Sequence, residues 1–137
     1  MNKISMGALL LAGSAWGQLS QSGSDPQPVA CNSSQQIAVT TQGTVQVIAA
    51  VAGKSIYVCG FVLNSGGSTT VQLVQGQGSA CATGKTNLTP AFKMANGSTV
   101  TMGGSVGQVL RSSVGGALCM TTTSNPDVGV LIVYVQR

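Results

Sequence analysis

The chain has 137 residues, enough for one domain, and only 6% of them are charged. It contains no histidine and no glutamate, so its only carboxylate side chains are those of Asp25 and Asp127. Six basic residues give a net charge of +4, but no two are adjacent, whereas nucleic-acid surfaces cluster Lys and Arg over phosphates. Histidine and glutamate, which acid–base catalysis and zinc sites commonly use, are both absent from the sequence. We therefore expect no enzyme, no metal, no cofactor and no nucleic-acid partner.

The first 17 residues have the layout of a secretory signal peptide. Lys3 precedes an apolar stretch over residues 4–12, and small residues occupy positions −3 and −1 before a predicted cut at Gln18. The stretch is too short to span a bilayer, which takes about 20 residues, so we expect no stable membrane anchor. The alternative is an N-terminal arm that stays attached. Residues 18–34 are predicted to form a linker, because most of them are polar and two are prolines.

Four cysteines, Cys31, Cys59, Cys81 and Cys119, are widely spaced and form no C-x-x-C pair. An even number in a short exported chain predicts two disulfides. Four cysteines allow three connectivities, among which the sequence does not decide; we favour Cys31–Cys59 and Cys81–Cys119. The alternative is buried free thiols in a cytosolic protein.

Residues 35–137 are predicted to form one β domain, because short apolar runs alternate with turns rich in Gly, Asn and Ser. The run at 76–89 is expected to be a loop, Asn96-Gly97 a hairpin turn, and the segments at 109–112 and 117–123 a hairpin. About eight short strands without a helix predict an all-β, antiparallel two-sheet sandwich. The predicted strands cover residues 37–39, 45–50, 55–63, 69–75, 99–102, 109–112, 117–123 and 128–135.

Two predicted strands, at 55–63 and 128–135, are apolar on both faces, whereas a strand with one wet face should alternate. In 55–63, strict alternation places Ile56, Val58, Gly60 and Val62 on one face and Tyr57, Cys59, Phe61 and Leu63 on the other. One face of each strand can fill the core, and the second face needs cover, which predicts a homo-oligomer. The alternative is cover by the chain's own loops. The interface candidates are Tyr57, Phe61, Leu63, Leu131, Val133 and Val135.

Several segments resemble small jelly-roll phage virion proteins of the head-decoration or cement type. The similar stretches are AAVAGKSIYVCG at 49–60, GKTNLT at 84–89, ANGS at 95–98, GGALC at 115–119 and VGVLIVY at 128–134. The resemblance covers about residues 31–137 and consists of turn and core residues. It implies a jelly-roll fold, a trimer and the major capsid protein as a partner, and it brings no catalytic residue.

The sequence therefore favours a non-catalytic structural protein on a virion surface. A secretory signal departs from this pattern, because capsids assemble in the cytoplasm. The alternative is a secreted or periplasmic bacterial β-sandwich module, adhesive or carbohydrate-binding, with two disulfides. An enzyme would have to use Asp127.

Overall fold

The computed structural model describes residues 29–104, 107–124 and 126–137. The predicted signal peptide and most of the predicted linker lie outside these residues. The described part contains ten strands and one short 3-10 turn, Ser79–Cys81. The strands are β1 (Ser33–Val39), β2 (Gly43–Ile48), β3 (Ile56–Ser65), β4 (Thr69–Gln77), β5 (Thr83–Asn87), β6 (Phe92–Met94), β7 (Thr99–Gly103), β8 (Leu110–Arg111), β9 (Ala117–Thr122) and β10 (Val128–Gln136).

The ten strands form two antiparallel sheets that pack face to face. Sheet I has the order β1-β10-β3-β7, and sheet II has the order β2-β9-β4-β5. Strand β8 follows β7 along the same edge of β3, and β5 and β6 likewise share one edge of β4. If each of these pairs counts as one interrupted strand, eight strands remain in the interleaved order of a jelly roll. The predicted all-β, jelly-roll-like sandwich is therefore confirmed.

The core lies between the two sheets and consists of aliphatic side chains with few aromatic ones. Strand β4 shows the expected alternation, with Val71 and Leu73 fully buried and Thr70 and Gln72 partly exposed. Strand β10 behaves in the same way: Val130 and Ile132 point into the core, and Leu131 is only half-buried. β-branched and aromatic residues fit this pleated, half-buried setting, which explains why the strands form here.

Strand β3 contains a β-bulge at Cys59, which the sequence pattern does not predict. On β10, Val133 pairs with Gly60 and the next residue, Tyr134, pairs with Val58, so Cys59 has no partner of its own. An extra residue in one strand reverses the alternation beyond it. Ile56 and Val58 point into the core before the bulge, whereas Phe61 and Leu63 do so after it. The strict alternation predicted for 55–63 is therefore wrong beyond Cys59.

Three local predictions in the second half of the domain also need correction. Strands β8 and β9 do not form a hairpin, because β8 pairs with β3 in sheet I and β9 pairs with β2 and β4 in sheet II. Residues 83–87 of the predicted loop form strand β5. The turn at Asn96-Gly97 exists, with a positive φ of 77° at Gly97, but it connects the two sheets and closes no hairpin. Each error concerns pairing between strands, which depends on tertiary contacts.

The four cysteines form two disulfides, Cys31–Cys59 and Cys81–Cys119, which is the pairing favoured above. None of these cysteines belongs to the cluster that fills the space between the sheets. Cys31–Cys59 ties the segment before β1 to the bulge of β3, where the Cys59 sulfur also lies 3.5 Å from the carbonyl oxygen of Val29. Both bridges therefore fasten a chain segment to a sheet rather than one sheet to the other.

Candidate interaction surface

The outer face of sheet I carries an apolar strip with no charged side chain in its middle. We call this surface the open face. Strand β10 contributes a row of alternate residues that point away from the core, and the directly paired residues of β1, β3 and β7 lie beside that row. The pairs Ala38–Gly129, Leu131–Val62 and Val133–Gly60 belong to it. The members of the open face are Ser34, Gln36, Ala38, Tyr57, Gly60, Val62, Asn64, Thr99, Thr101, Gly129, Leu131, Val133 and Val135.

The centre of the open face is apolar, and its two lateral margins, along β1 and β7, are polar but uncharged. Val62, Leu131 and Val133 are half-buried by their neighbours in the sheet. At the margins, Gln36 lies on β1, and on the other side Asn64 donates a hydrogen bond to the hydroxyl of Thr99 at 2.9 Å. Protein interfaces share this arrangement, with few charges at the centre and a polar rim.

Two shallow depressions interrupt the open face. The larger, of about 380 Å³, lies over β1, β10 and β3, and the smaller, of about 110 Å³, lies over β3, β7 and β10. Val62 and Leu131 line both of them, so the two depressions are neighbours on the open face. The absence of a side chain at Gly60 leaves room for Gly104, because a Cβ there would lie 2.9 Å from the Gly104 carbonyl oxygen.

One end of the open face is basic. The guanidinium carbon of Arg111 lies 5.0 Å from the centre of the Tyr57 ring, and that of Arg137 lies at the same distance. Arg111 is the direct partner of Tyr57 across β8 and β3, whereas Arg137 reaches the ring from the end of β10. Guanidinium groups bind aromatic faces in this way because the ring face carries negative potential.

The other end of the open face is acidic. Asp127 precedes β10, and its carbonyl oxygen accepts a hydrogen bond from the Gly66 N–H at 2.7 Å. Its carboxyl group lies over Gly66, since a Cβ at position 66 would be 3.0 Å from Asp127 Cγ. Asp127 is the only residue with a carboxylate side chain in the described part of the chain, so the acid and the two arginines occupy opposite ends of one surface.

The outer face of sheet II differs, because its apolar part is covered. Val74, Ala117 and Cys119 form a buried cluster beneath Cys81, which the 3-10 turn carries across the sheet. The rest of this face is polar: the hydroxyls of Thr44 and Thr121 lie 3.0 Å apart, and the Lys85 ammonium group donates a hydrogen bond to the Thr44 hydroxyl at 3.4 Å. The turn held by the Cys81–Cys119 disulfide thus covers the apolar part of sheet II, whereas no described segment covers the middle of the open face.

The structure separates the six predicted interface residues into two groups. Tyr57, Leu131, Val133 and Val135 lie on the open face. Phe61 and Leu63 do not: they are 2% and 0% exposed and belong to the core between the sheets. They were assigned to the wrong face because the bulge at Cys59 reverses the alternation. Val62, which strict alternation places on the opposite face from the candidates of this strand, takes their place on the open face, and only knowledge of the bulge would have identified it.

Metal-binding side chains are few in the described residues, and free thiols are absent from them. No three metal-binding side chains of the His, Cys, Asp or Glu type come together within them. All four cysteines are oxidised in disulfides, so none is available as a nucleophile. In residues 29–104, 107–124 and 126–137, no helix is long and apolar enough to cross a membrane.

Comparison with family models, with curated proteins and with solved structures found no match for this chain.

Proposed function

We propose that this protein is a non-catalytic structural component of a virion surface, of the capsid-decoration or cement type, and that it binds through the open face. The observation that carries the proposal is the open face itself, an uncharged apolar strip over two central strands. A contiguous apolar surface of this kind marks a site of protein association. Its partners are further copies of this chain and the major capsid protein.

The fold supports a location on a viral capsid. Jelly-roll sandwiches are the fold of many viral capsid domains and of lectin domains, and fold alone does not choose between these roles. The resemblance of residues 31–137 to small phage virion proteins favours the capsid. A structural role also agrees with the side chains present, because Asp127 has no second carboxylate or histidine near it in the described residues to share acid–base work.

Purified virions test the proposal. Mass spectrometry of particles from cells that carry this gene should find the chain in a fixed ratio to the major capsid protein, with residues 1–17 retained. Particles that lack the chain, although the gene is expressed, would contradict the proposal. If the chain is instead an enzyme, a hydrolytic activity should be detectable and should disappear in Asp127→Asn.

A second function, a secreted or periplasmic adhesion or carbohydrate-binding module, is favoured by the two disulfides. Disulfides form in oxidising compartments and are rare in the cytosol, where capsids assemble. Export and a virion location make opposite predictions for the N-terminus. A mature protein that begins at Gln18 supports export, and a chain that begins at Met1 supports the virion, in which the disulfides close after lysis.

A further inference from the structure

We propose that the open face is a two-fold contact between two antiparallel copies of this chain. The inference deepens the proposed function and rests on its claim that the open face is a binding surface, but it does not depend on where the protein acts. A two-fold contact requires that one surface be complementary to itself. The outward row of β10 meets this requirement in both its charges and its apolar residues.

The row starts with an acid and ends with a base. Its members, in order, are Asp127, Gly129, Leu131, Val133, Val135 and Arg137. A two-fold axis that crosses β10 at Ile132 brings each residue to the level of a complementary residue in the partner copy. Leu131 then faces Val133, Gly129 faces Val135, and Asp127 comes to the level of Arg137.

The lateral positions of the two charges also agree. The carboxyl group of Asp127 leans from β10 toward β3, where it lies over Gly66. The guanidinium of Arg137 leans in the same direction, over the Tyr57 ring of β3. The axis that reverses the strands places β3 over β3, so both groups lie on the same side of the contact. Packed sheets cross at about 30°, an offset that long side chains can bridge.

The charges exclude the parallel arrangement. An axis along the strands would place the basic end of one copy on the basic end of the other, so that Arg111 and Arg137 of both copies would come together. Like charges in close contact oppose association by several kcal/mol. The antiparallel arrangement separates the two basic ends by the length of the row, about 33 Å for ten residue steps along a strand.

The size of the open face suits a dimer. Four strands spaced about 4.8 Å apart give a width of about 19 Å, and with the 33 Å row they give a footprint of about 600 Å² per copy. The resulting total of about 1,200 Å² reaches the lower end of specific protein interfaces. The contact is therefore expected to be a reversible dimer rather than the trimer that the resemblance implies.

Sedimentation velocity on the full chain over a range of concentrations provides the first test. We expect a monomer–dimer equilibrium that Leu131→Glu abolishes, because it places two carboxylates next to the axis. Gln46→Glu is the matched control, since Gln46 is an exposed residue on the outer face of sheet II and should leave the equilibrium unchanged. Far-UV circular dichroism verifies that each variant is folded, and Val133→Glu replaces Leu131→Glu if the latter is not.

Charge reversal provides a second test that does not disturb the apolar centre. We expect Asp127→Lys and Arg137→Glu each to raise the dimer dissociation constant about tenfold at an ionic strength of about 0.1 M, and the double variant to restore it to within about threefold. Within one copy the two positions lie about three Debye lengths apart, so restoration can only come from contact between copies.

The outcomes separate this inference from the proposed function. A monomer at all concentrations, a trimer, an unaffected dimer in Leu131→Glu or a double variant without restoration would each overturn the two-fold contact. A monomer would mean that the open face binds residues 1–28 or another protein instead of a second copy. None of these results bears on whether virions contain the chain, which only the particle analysis decides.

Discussion

Gly76 on β4 lies directly beneath Cys81: a Cβ at position 76 would be 2.7 Å from the Cβ of Cys81 and 3.0 Å from its Cα. Ala80 and Cys81 above it adopt positive φ values of 51° and 54°, which non-glycine residues rarely do. The Cys81–Cys119 disulfide holds this turn against β9. The glycine thus provides the space in which a strained turn covers the outer face of sheet II.

The close contact predicts that Gly76→Ala destabilises the fold. The added methyl group must push the turn off the sheet or strain the disulfide, at a cost of about 1–3 kcal/mol in the free energy of unfolding. Urea denaturation followed by circular dichroism measures this change. Gly104→Ala is the control, because a Cβ there would meet no atom of the described residues within 4 Å and Gly104 has no positive φ. Equal stability of the two variants would mean that the turn does not lie on Gly76.

Removal of the Cys81–Cys119 bridge should lower the free energy of unfolding by more than Gly76→Ala does. The bridge closes a sequence separation of 38 residues, for which the loop-entropy relation gives about 4 kcal/mol, and Cys31–Cys59 closes 28 residues and gives about 3.5 kcal/mol. The double variant Cys81→Ala/Cys119→Ala should therefore unfold at a clearly lower urea concentration than the native chain. It should also expose Val74 and Ala117, which increased binding of an apolar dye would report.

The pairing itself is open to a direct measurement. Trypsin leaves Cys59 and Cys81 together in the peptide 55–85, so a second cleavage after Phe61 by chymotrypsin is needed to separate them. We expect one disulfide-linked product that contains Cys31 and Cys59 and another that contains Cys81 and Cys119. A product that joins Cys31 to Cys81 or to Cys119 would contradict the structure.

The fold class and the two apolar strands could be predicted from the sequence because both depend on local pattern. Composition, turn residues and period-two runs indicate strands wherever they occur. The sheet partners of β8 and the strand β5 could not be predicted, since pairing is decided by contacts between residues far apart in the chain. The bulge at Cys59 belongs to the second kind, because no residue type requires it and only the register with β10 reveals it.

The bulge predicts opposite behaviour for two adjacent residues. Phe61→Ala should lower the free energy of unfolding by about 3–5 kcal/mol, because Phe61 is 2% exposed and packs in the core. Val62→Ala on the open face should cost under about 1 kcal/mol in the monomer and should weaken self-association instead. Denaturation at low protein concentration gives the first quantity, and sedimentation velocity gives the second. The reverse result would restore the strict alternation of β3.

The partition of the interface candidates follows from the same bulge. Leu131, Val133 and Val135 lie together on the outer face, as period-two alternation predicts, because β10 keeps its alternation, whereas Phe61 and Leu63 follow the extra residue on β3. The position of Arg111 at the basic end of the open face was also beyond the sequence, because Arg111 belongs to β8 whereas Asp127 and Arg137 flank β10. Its place beside Tyr57 depends on which strands lie side by side.

Two buried serines at the basic end of sheet I predict opposite effects of the same substitution. The Ser112 hydroxyl accepts a hydrogen bond from the Ile56 N–H at 2.8 Å and donates one to the Ser113 carbonyl oxygen at 3.0 Å. Ser112→Ala would leave the buried Ile56 N–H without a partner, at a cost of about 1–3 kcal/mol. The Ser55 hydroxyl is also buried, but it makes no hydrogen bond within the described residues.

Ser55→Ala should therefore be neutral or stabilise the chain by up to about 1 kcal/mol, because it removes a buried polar group that gains nothing in return. The backbone of Ser55 should keep both of its hydrogen bonds to Arg137, at 3.0 and 3.2 Å, since alanine retains the same N–H and carbonyl. Urea denaturation of both variants measures the difference. A loss of stability in Ser55→Ala equal to that of Ser112→Ala would show that the Ser55 hydroxyl has a partner, such as an ordered water, that stabilises this end of the sheet.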